Sequence, residues 1–340
     1  MSAALTLNNS AYKALRSHAK GAQKKAQKKA LEMTDDIYVE LPPFYLNQSR
    51  WKEYQDCDRM YGWLHVEQLE PDRPRKHLEL GTAVHAAQVI AHAGKGTPEA
   101  FAEATKVAEK AFRAAMGGPK LPGDEEEIQQ GVDIIKRLLP AYHRHYASQE
   151  QLWKPLGMEL SFCVEVGEGT NVFLVGRIDN LVTFMNGLWL VDYKTMSRLD
   201  MRDFLKYEID VQLTAYIYGG TKQLTLDARK RGEPPVIIRG AIIDGMVKTA
   251  IPQFHREMYT RDLNDLREFE LEFVEKAREI ATKHQRVKNG EPWKVVFPKN
   301  TSHCFRYGTC PFRDLCCKDT EVRRMAYRKR TPDYVDAKGK

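Results

Sequence analysis

Several features are missing from this sequence, and each absence excludes a class of protein. No apolar run approaches the length needed to span a bilayer, and none follows a short basic start as a secretory signal would. No internal repeat and no G-x-x-x-x-G-K-[S/T] loop is present, which argues against solenoids and P-loop motors. The six cysteines supply no pair separated by two to four residues, the usual spacing at structural zinc. We expect a globular protein of a reducing compartment, without membrane contact.

The charge is concentrated at the two ends of the chain. Residues 1–31 hold seven lysines and arginines and no acid, and residues 318–330 hold six bases and two acids, within a total net charge of +7. The body between them is mildly acidic. Such ends suit a polyanionic partner, because bound phosphates release their counterions; solvated tails are the alternative. The candidate contacts are Lys24, Lys28, Arg323 and Arg324.

Apolar periodicity predicts helices, then three strands, then a helix, a strand and a long last helix. Helices are expected at 81–93, 98–116, after the acidic cluster 124–127, at 211–218 and at 261–284; strands are expected at 158–166, 173–184, 188–195 and 236–243. Met185-Asn186-Gly187 is expected to form a hairpin turn. This order predicts an α/β (α+β) fold with a central mixed sheet flanked by helices.

The same reading divides the chain into three parts. Residues 1–40 are expected to be a basic extension, helical or disordered, and residues 318–340 a basic tail. Residues 41–317 are expected to form the body, with a helical insertion at about 95–150 and a cysteine-bearing region at 300–317.

The predicted hairpin carries an unusual set of charges. Asp179 follows a largely apolar strand, and the next strand is apolar for four residues before it reaches Asp192 and Lys194. Because side chains alternate along a strand, Asp192 and Lys194 point to the same side, and the hairpin can bring Asp179 towards them. Two carboxylates held together repel unless a cation lies between them, and Mg²⁺ prefers such oxygen ligands. A neighbouring lysine can orient water and offset charge in the transition state of phosphodiester hydrolysis.

The D-x-K triplet alone carries no information, because it recurs at residues 336–338 in a polar tail. The preceding strand, the hairpin and Asp179 distinguish Asp192. A structural salt bridge on an edge strand is the alternative.

Two further motifs flank the hairpin. Gly81-Thr82-Ala83-Val84-His85 places a histidine on an apolar helix start, and Gln212-Leu213-Thr214-Ala215-Tyr216 places Gln212 and Tyr216 on one helix face. Each alone is ordinary. In this order, the motifs resemble those of the RecB-like exonuclease branch of the PD-(D/E)XK nucleases, from about Ser49 to Cys316. Cys57-Asp58-Arg59-Met60-Tyr61 is similar to the C-P-R-x-Y of that family, with aspartate in place of proline.

The resemblance implies a restriction-endonuclease-like core and a role for each motif. His85, Asp179, Asp192 and the backbone carbonyl of Tyr193 are implied as ligands of Mg²⁺ or Mn²⁺. Asp179, Asp192 and Lys194 are implied as the catalytic residues. Gln212 and Tyr216 are implied as DNA contacts near the scissile phosphate, and Glu159 is similar to an acid on the first strand of the family.

The cysteines fit a second feature of that branch. Cys304, Cys310 and Cys316 follow a C-x5-C-x5-C spacing, and Cys57 lies far upstream. Several RecB-like nucleases hold a [4Fe–4S] cluster with one cysteine before the nuclease motifs and three after them, so the resemblance implies these four residues as ligands. The family trio is more often C-x2-C-x5-C, so the loop 305–309 is longer here. Unligated thiols and a structural zinc site are the alternatives.

The implied activity is metal-dependent exonucleolytic hydrolysis of single-stranded or end-bearing double-stranded DNA, leaving 5′-phosphates. The expected setting is phage or bacterial recombination, repair or replication, in the cytoplasm of a bacterial or phage-infected cell, with a recombination or helicase protein as partner. The alternatives are a catalytically inactive DNA-binding module and an end-trimming nuclease of the CRISPR-adaptation type.

Overall fold

A computed structural model describes residues 42–331, except for Pro74, Lys95, Lys120, residues 148–151 and Tyr307. The candidate DNA contacts Lys24 and Lys28, the expected basic extension and residues 332–340 lie outside the described residues.

Six strands form a mixed sheet whose centre is an antiparallel unit. This unit comprises β3 (Lys154–Glu165), β4 (Val172–Phe184) and β5 (Gly187–Met196). Beyond β5 the sheet continues through a parallel strand, β6 (Ile238–Val247), and an antiparallel one, β7 (Gln253–Thr260). The short strand β1 (Phe44–Leu46) lies parallel to the first residues of β4. A second, two-stranded sheet pairs β2 (Leu69–Pro71) with β8 (Tyr327–Lys329).

Helices cover both faces of the large sheet, so the expected α/β fold with a central mixed sheet is confirmed. One face packs on α3, α4 and α5, and the other packs on α1, α7 and α8. In chain order the helices are α1 (Gln48–Asp56), α2 (Asp58–Tyr61), α3 (Lys76–Ala93), α4 (Pro98–Met116), α5 (Asp124–Tyr146), α6 (Met201–Leu205), α7 (Val211–Lys230), α8 (Leu263–Lys288), α9 (Trp293–Val296), α10 (Arg313–Cys317) and α11 (Glu321–Arg324).

Local sequence signals explain where these elements begin and turn. Asp262 caps α8 by accepting hydrogen bonds from the next backbone amides, while the Asp265 side chain accepts from the Asp262 amide at 2.8 Å. Thr97 caps α4, whose first residue is a proline. Between β4 and β5, Met185 and Asn186 have φ of 48° and 56°, which is the left-handed pair that a two-residue hairpin turn requires.

A close approach between β4 and α7 explains why residue 176, three positions before Asp179, is a glycine. A Cβ atom on Gly176 would lie 2.1 Å from the ring of Phe162, and a Cβ on Gly219 of α7 would lie 2.2 Å from the same ring. The ring of Phe162 therefore fills the space that two glycines leave, and this packing holds α7 close to the sheet beside the motif.

Residues 318–331, the described part of the expected basic tail, contain a helix and a strand. Residues 321–324 form α11 and residues 327–329 form β8, which pairs with β2 near the other end of the body. Tyr327 packs against a small apolar cluster of Trp63, Leu69, Phe312 and Leu315. Within the part of the chain that the structure describes, no helix is both long and apolar enough to cross a bilayer.

Candidate active site

The site lies where two neighbouring strands separate. The ladder between β4 and β5 ends at the pair Asn180–Val191, and the next residue on each strand is an aspartate, Asp179 or Asp192. Beyond this point β5 continues along β6 as far as Met196. The sheet therefore opens into a fork, and the two acids lie at its base.

Asp192 is part of a polar cluster on the α7 side of the fork. Its Oδ2 lies 2.7 Å from Nζ of Lys194, as the strand alternation predicted. Gln212, at the start of α7, bridges the two: its Nε2 donates to Oδ1 of Asp192 at 3.3 Å, and its Oε1 accepts from Lys194 at 3.2 Å. Asp192 is only 3% exposed, so this pairing offsets the cost of burying the carboxylate.

Asp179 is held from the opposite helical layer. Its Oδ2 accepts from the backbone amide of Tyr193 at 3.1 Å and lies 3.3 Å from Nδ1 of His85 on α3. The other ring nitrogen of His85 lies 2.7 Å from the carbonyl oxygen of Tyr193. His85, Asp179 and the Tyr193 carbonyl, three of the four donors implied by the resemblance, are therefore adjacent.

Glu159 completes the group of donors that could hold a metal ion. One donor atom each from His85, Glu159 and Asp179 lie within 4.8 Å of one another. Glu159 lies in β3 with a φ of 54°, a strained conformation for a residue that is not glycine, and its carboxylate pairs with Nε of Arg177 at 2.7 Å. Asp192 is outside this close group, because it faces Lys194 and Gln212.

The charges of the site compensate one another. Burial lowers the pKa of His85, but the hydrogen bond and charge of Asp179 outweigh burial and raise it overall. Burial raises the pKa of Asp179, but His85 and Lys194 outweigh that effect and lower it. Burial raises the pKa of Asp192, and the ion pair with Lys194 opposes this only in part. The two buried carboxylates, Asp179 and Asp192, are therefore each stabilised by a neighbouring positive charge.

The fork opens into a cleft of about 1300 Å³. Among the described residues, its lining contains more bases than acids: Lys52, Arg177, Lys194, Arg198, Lys206 and Lys248, against Glu159 and Asp203. No ion pair among the described residues engages the ammonium groups of Lys52 and Lys248. Burial, and to a smaller extent the nearby charge of Lys76, lower the pKa of Lys248.

The bases predicted at the carboxyl end have other partners. Arg324 contacts Asp319 at 2.7 Å and Glu67 at 3.2 Å, and Arg323 donates to the backbone carbonyl of Asp314 at 2.6 Å. Tyr216 lies one turn beyond Gln212 on α7 and packs against Phe162.

The four cysteines grouped by the resemblance surround one small cavity. Cys57, Cys304, Cys310 and Cys316 line it together, although Cys57 and Cys304 are 247 positions apart. Trp63 Nε1 donates to the sulfur of Cys316 at 3.3 Å, and the Asn300 amide donates to that of Cys57 at 3.3 Å. Hydrogen bonds to sulfur and four thiols around one space suit an iron–sulfur cluster.

A single zinc ion fits these thiols less well. Thiolates about 2.3 Å from a tetrahedral zinc would lie roughly 3.8 Å apart. No three of the four cysteines, all of which are described, place their sulfurs within 4.8 Å of one another. The arrangement leaves room for a larger group.

Residues 45–317 match the model of the PD-(D/E)XK nuclease superfamily. The chain belongs to this superfamily, whose members use divalent metal ions. A candidate exonuclease from Eubacterium rectale has a solved structure that is 18% identical, with a TM-score of 0.43, over 89% of this chain and 97% of that one. That likeness is too distant to inform function. No curated protein matches the chain.

The roles of three residues in the site were not predicted from the sequence. The role of Glu159 was open, because its position depends on an irregular strand. Gln212 bridges Lys194 and Asp192, a contact that its helical spacing alone does not specify. Lys248 had a detectable signal: it follows β6, which runs parallel to β5, and parallel strands end at the same edge of a sheet.

Proposed function

We propose that this protein is a metal-dependent DNA exonuclease of the RecB-like branch, that it leaves 5′-phosphates, and that it acts in phage or bacterial recombination, repair or replication. Residues 41–317 are its nuclease body. The observation that carries the proposal is the fork between β4 and β5, where Asp179 and Asp192 lie next to a basic cleft that Lys194 lines.

The donor set suits Mg²⁺ or Mn²⁺. Carboxylates of Asp179 and Glu159, the Tyr193 carbonyl and His85 would hold the ion, and Asp192 is proposed as a further ligand. When bound, such an ion supplies Lewis-acid activation of the phosphodiester and of water.

The protein side chains orient the remaining groups of the reaction. Lys194 is held beside Asp192 by Gln212, so its ammonium group is aimed into the cleft, where it can bind a phosphate oxygen or the attacking water. Burial lowers the pKa of Lys194, but Asp192 and Asp179 outweigh burial and raise it, which keeps the lysine cationic. A cationic lysine acts here as an electrostatic stabiliser rather than as a general base.

The cleft supplies binding without sequence readout. Lys52, Arg198, Lys206 and Lys248 can contact successive phosphates, an interaction that is independent of base sequence and weakens with salt. DNA in the cleft is therefore positioned by its backbone, as an enzyme that degrades many sequences requires.

Cys57, Cys304, Cys310 and Cys316 are the proposed ligands of a [4Fe–4S] cluster, which would join the end of α1 to the carboxyl-terminal region. Its proposed role is structural, since the cavity is separate from the cleft lining.

Cleavage of end-labelled single- and double-stranded DNA in Mg²⁺ or Mn²⁺ tests the activity. We expect wild type to release short products from one end and Lys194→Ala to lose at least 100-fold in rate, of the order seen when an electrostatic catalytic group is removed. Lys283→Ala is the matched control, because Lys283 is also a partly buried lysine paired with an aspartate, Asp58.

The outcomes separate the proposal from its rivals. Loss of cleavage in Lys194→Ala with activity retained in Lys283→Ala supports it. Cleavage of covalently closed circles at the rate of linear DNA contradicts the exonuclease assignment. Metal-independent DNA binding without any cleavage would instead identify an inactive DNA-binding module.

A further inference from the structure

Tyr193, the middle residue of the D-x-K motif, has every polar group engaged. Its backbone amide donates to Asp179 at 3.1 Å and its carbonyl oxygen lies 2.7 Å from His85. Its phenol oxygen lies 2.8 Å from Nε2 of His92 and accepts from Nδ2 of Asn180 at 3.1 Å. The residue is 1% exposed, so these contacts form inside the protein, on the face opposite to Asp192.

The phenol contacts come from the two elements that also hold the candidate metal donors. His92 lies seven residues after His85 on α3, about two helical turns, so both histidines face the same strand. Asn180 is adjacent to Asp179 on β4 and has no exposed surface. The side chain of Tyr193 therefore links α3 to β4, while the backbone of the same residue contacts His85 and Asp179.

These contacts restrict the carbonyl of Tyr193. A peptide carbonyl can rotate if its residue moves along or out of the strand, and β5 has lost its β4 partner at this point. The ladder to β6 holds one side of the strand only. The phenol, through His92 and Asn180, connects Tyr193 to α3 and to β4 as well.

We infer that His92 and Asn180 are positioning residues for the metal site, acting through the phenol of Tyr193. Neither residue belongs to the candidate metal donors or to the lining of the cleft. They fix the carbonyl of Tyr193 and its amide contact to Asp179, so that two donors keep their spacing in the fork. Partners one step removed from a metal ligand commonly change metal affinity or activity 10- to 100-fold, roughly, when they are removed. This inference rests on the proposed function, since it assigns the metal to that site.

The test is a titration of the DNA-free protein with Mn²⁺. The electron paramagnetic resonance signal of the free Mn²⁺ reports how much of the ion is bound. Tyr193→Phe removes only the hydroxyl, and we expect the Mn²⁺ dissociation constant to rise about 10-fold. His92→Leu should give a similar rise. His92→Gln, whose amide can still reach the phenol, should stay within about threefold of wild type, since the hydrogen bond is retained.

A second measurement and a matched control separate positioning from general destabilisation. Tyr193→Phe combined with His92→Leu should weaken Mn²⁺ binding no more than Tyr193→Phe alone, because loss of the hydroxyl already removes its contact with His92. The control is Tyr54→Phe, which also removes a buried phenol. The Tyr54 hydroxyl donates to Glu279 at 2.6 Å, and neither residue lines the cleft, so this change should leave Mn²⁺ binding unchanged.

Each result bears on the inference. A Tyr193→Phe dissociation constant within twofold of wild type overturns it, and so does an equal effect of Tyr54→Phe. Failure of wild type to bind Mn²⁺ overturns it as well. Wild type that binds Mn²⁺ and responds to these variants, yet cleaves no DNA, supports the inference while refuting the proposed nuclease activity.

Discussion

Asp179 on β4 and Asp192 on β5 each lie one residue beyond the last pair of the two strands, Asn180 and Val191. Within a continuous ladder such a pair would be two like charges with no room for a cation. Because the strands separate there, Asp179 turns to His85 and Asp192 turns to Lys194. The repulsion is replaced by two ion pairs around an open space.

Gln212 is expected to control the rate rather than DNA binding. In Gln212→Ala the ammonium of Lys194 and the carboxylate of Asp192 lose their common partner, so we expect cleavage to slow about 10- to 100-fold while KM for DNA changes less than about twofold. Single-turnover kinetics at saturating Mg²⁺ measure both. Gln223→Ala, on the same helix but bonded to Asp227, is the control. A raised KM with an unchanged rate would show that Gln212 contacts DNA instead.

Lys248 is expected to contribute one phosphate contact. Replacing it with alanine should weaken binding to all sequences alike and reduce the slope of log K against log salt by about 0.9 for duplex DNA. Fluorescence anisotropy with a catalytically inactive background measures this slope. Lys230→Ala, an exposed lysine paired with Asp227, should leave it unchanged. Equal slopes for Lys248→Ala and wild type would place the DNA path elsewhere.

If the four cysteines bind a [4Fe–4S] cluster, the purified protein should be coloured. Protein purified without oxygen should be brown, with absorption at about 400 nm and about four iron atoms per chain, as is typical of such clusters. Cys57→Ser or Cys310→Ser should abolish the absorption, because each removes one of the four thiols proposed to bind the cluster. Cys163→Ser is the control, since Cys163 lies in β3 outside that cavity. Colourless protein with one zinc per chain would contradict the assignment.

Acid should destabilise the protein partly through His284. Burial, with the nearby charges of His65, Lys288 and Arg50, lowers the pKa of His284 to about 4. In the unfolded chain this histidine has its ordinary pKa of about 6.5. Its contribution to stability is therefore complete above about pH 6.5 and is lost as the pH falls towards 4, a change on the order of 3 kcal/mol.

Urea unfolding from pH 7.5 down to pH 4 measures this contribution. His284→Gln should give a shallower decline in the free energy of unfolding across that range, because the replacement does not bind a proton. His145→Gln, at an exposed position on α5, should decline as wild type does. An unchanged slope in His284→Gln would mean that other groups govern acid unfolding.

Much of the sheet and the charged hairpin followed from the sequence because local patterns determine them. The alternation of Leu190, Asp192 and Lys194 determines which side chains share a face, and the turn at Met185 and Asn186 determines the pairing register. β7 escaped notice because its side chains are mostly polar and only partly buried, so backbone pairing with β6 defines the strand.

The remaining parts depend on contacts between distant segments. Periodicity cannot show that the ladder between β4 and β5 ends at Val191, or that β5 pairs on its other edge with β6, some fifty residues later. The strained φ of Glu159 likewise reflects its place in a bulged β3. The basic cleft was not predicted, because it is assembled from residues such as Lys52 and Lys248 that are not clustered in sequence. The DNA contacts expected at the chain ends stay a prediction.

The pairing of β2 with β8 has a practical consequence for anyone who trims this protein. Tyr327 of β8 stacks on Phe312 and donates to the carbonyl of Pro311, beside the loop that carries Cys310. A fragment ending at residue 317 would keep every cysteine but lose this cover, and Trp63 and Phe312 would face water next to the thiols. Dissolved oxygen would then reach the residues beside the thiol cavity more easily, so β8 protects a region to which it contributes no cysteine.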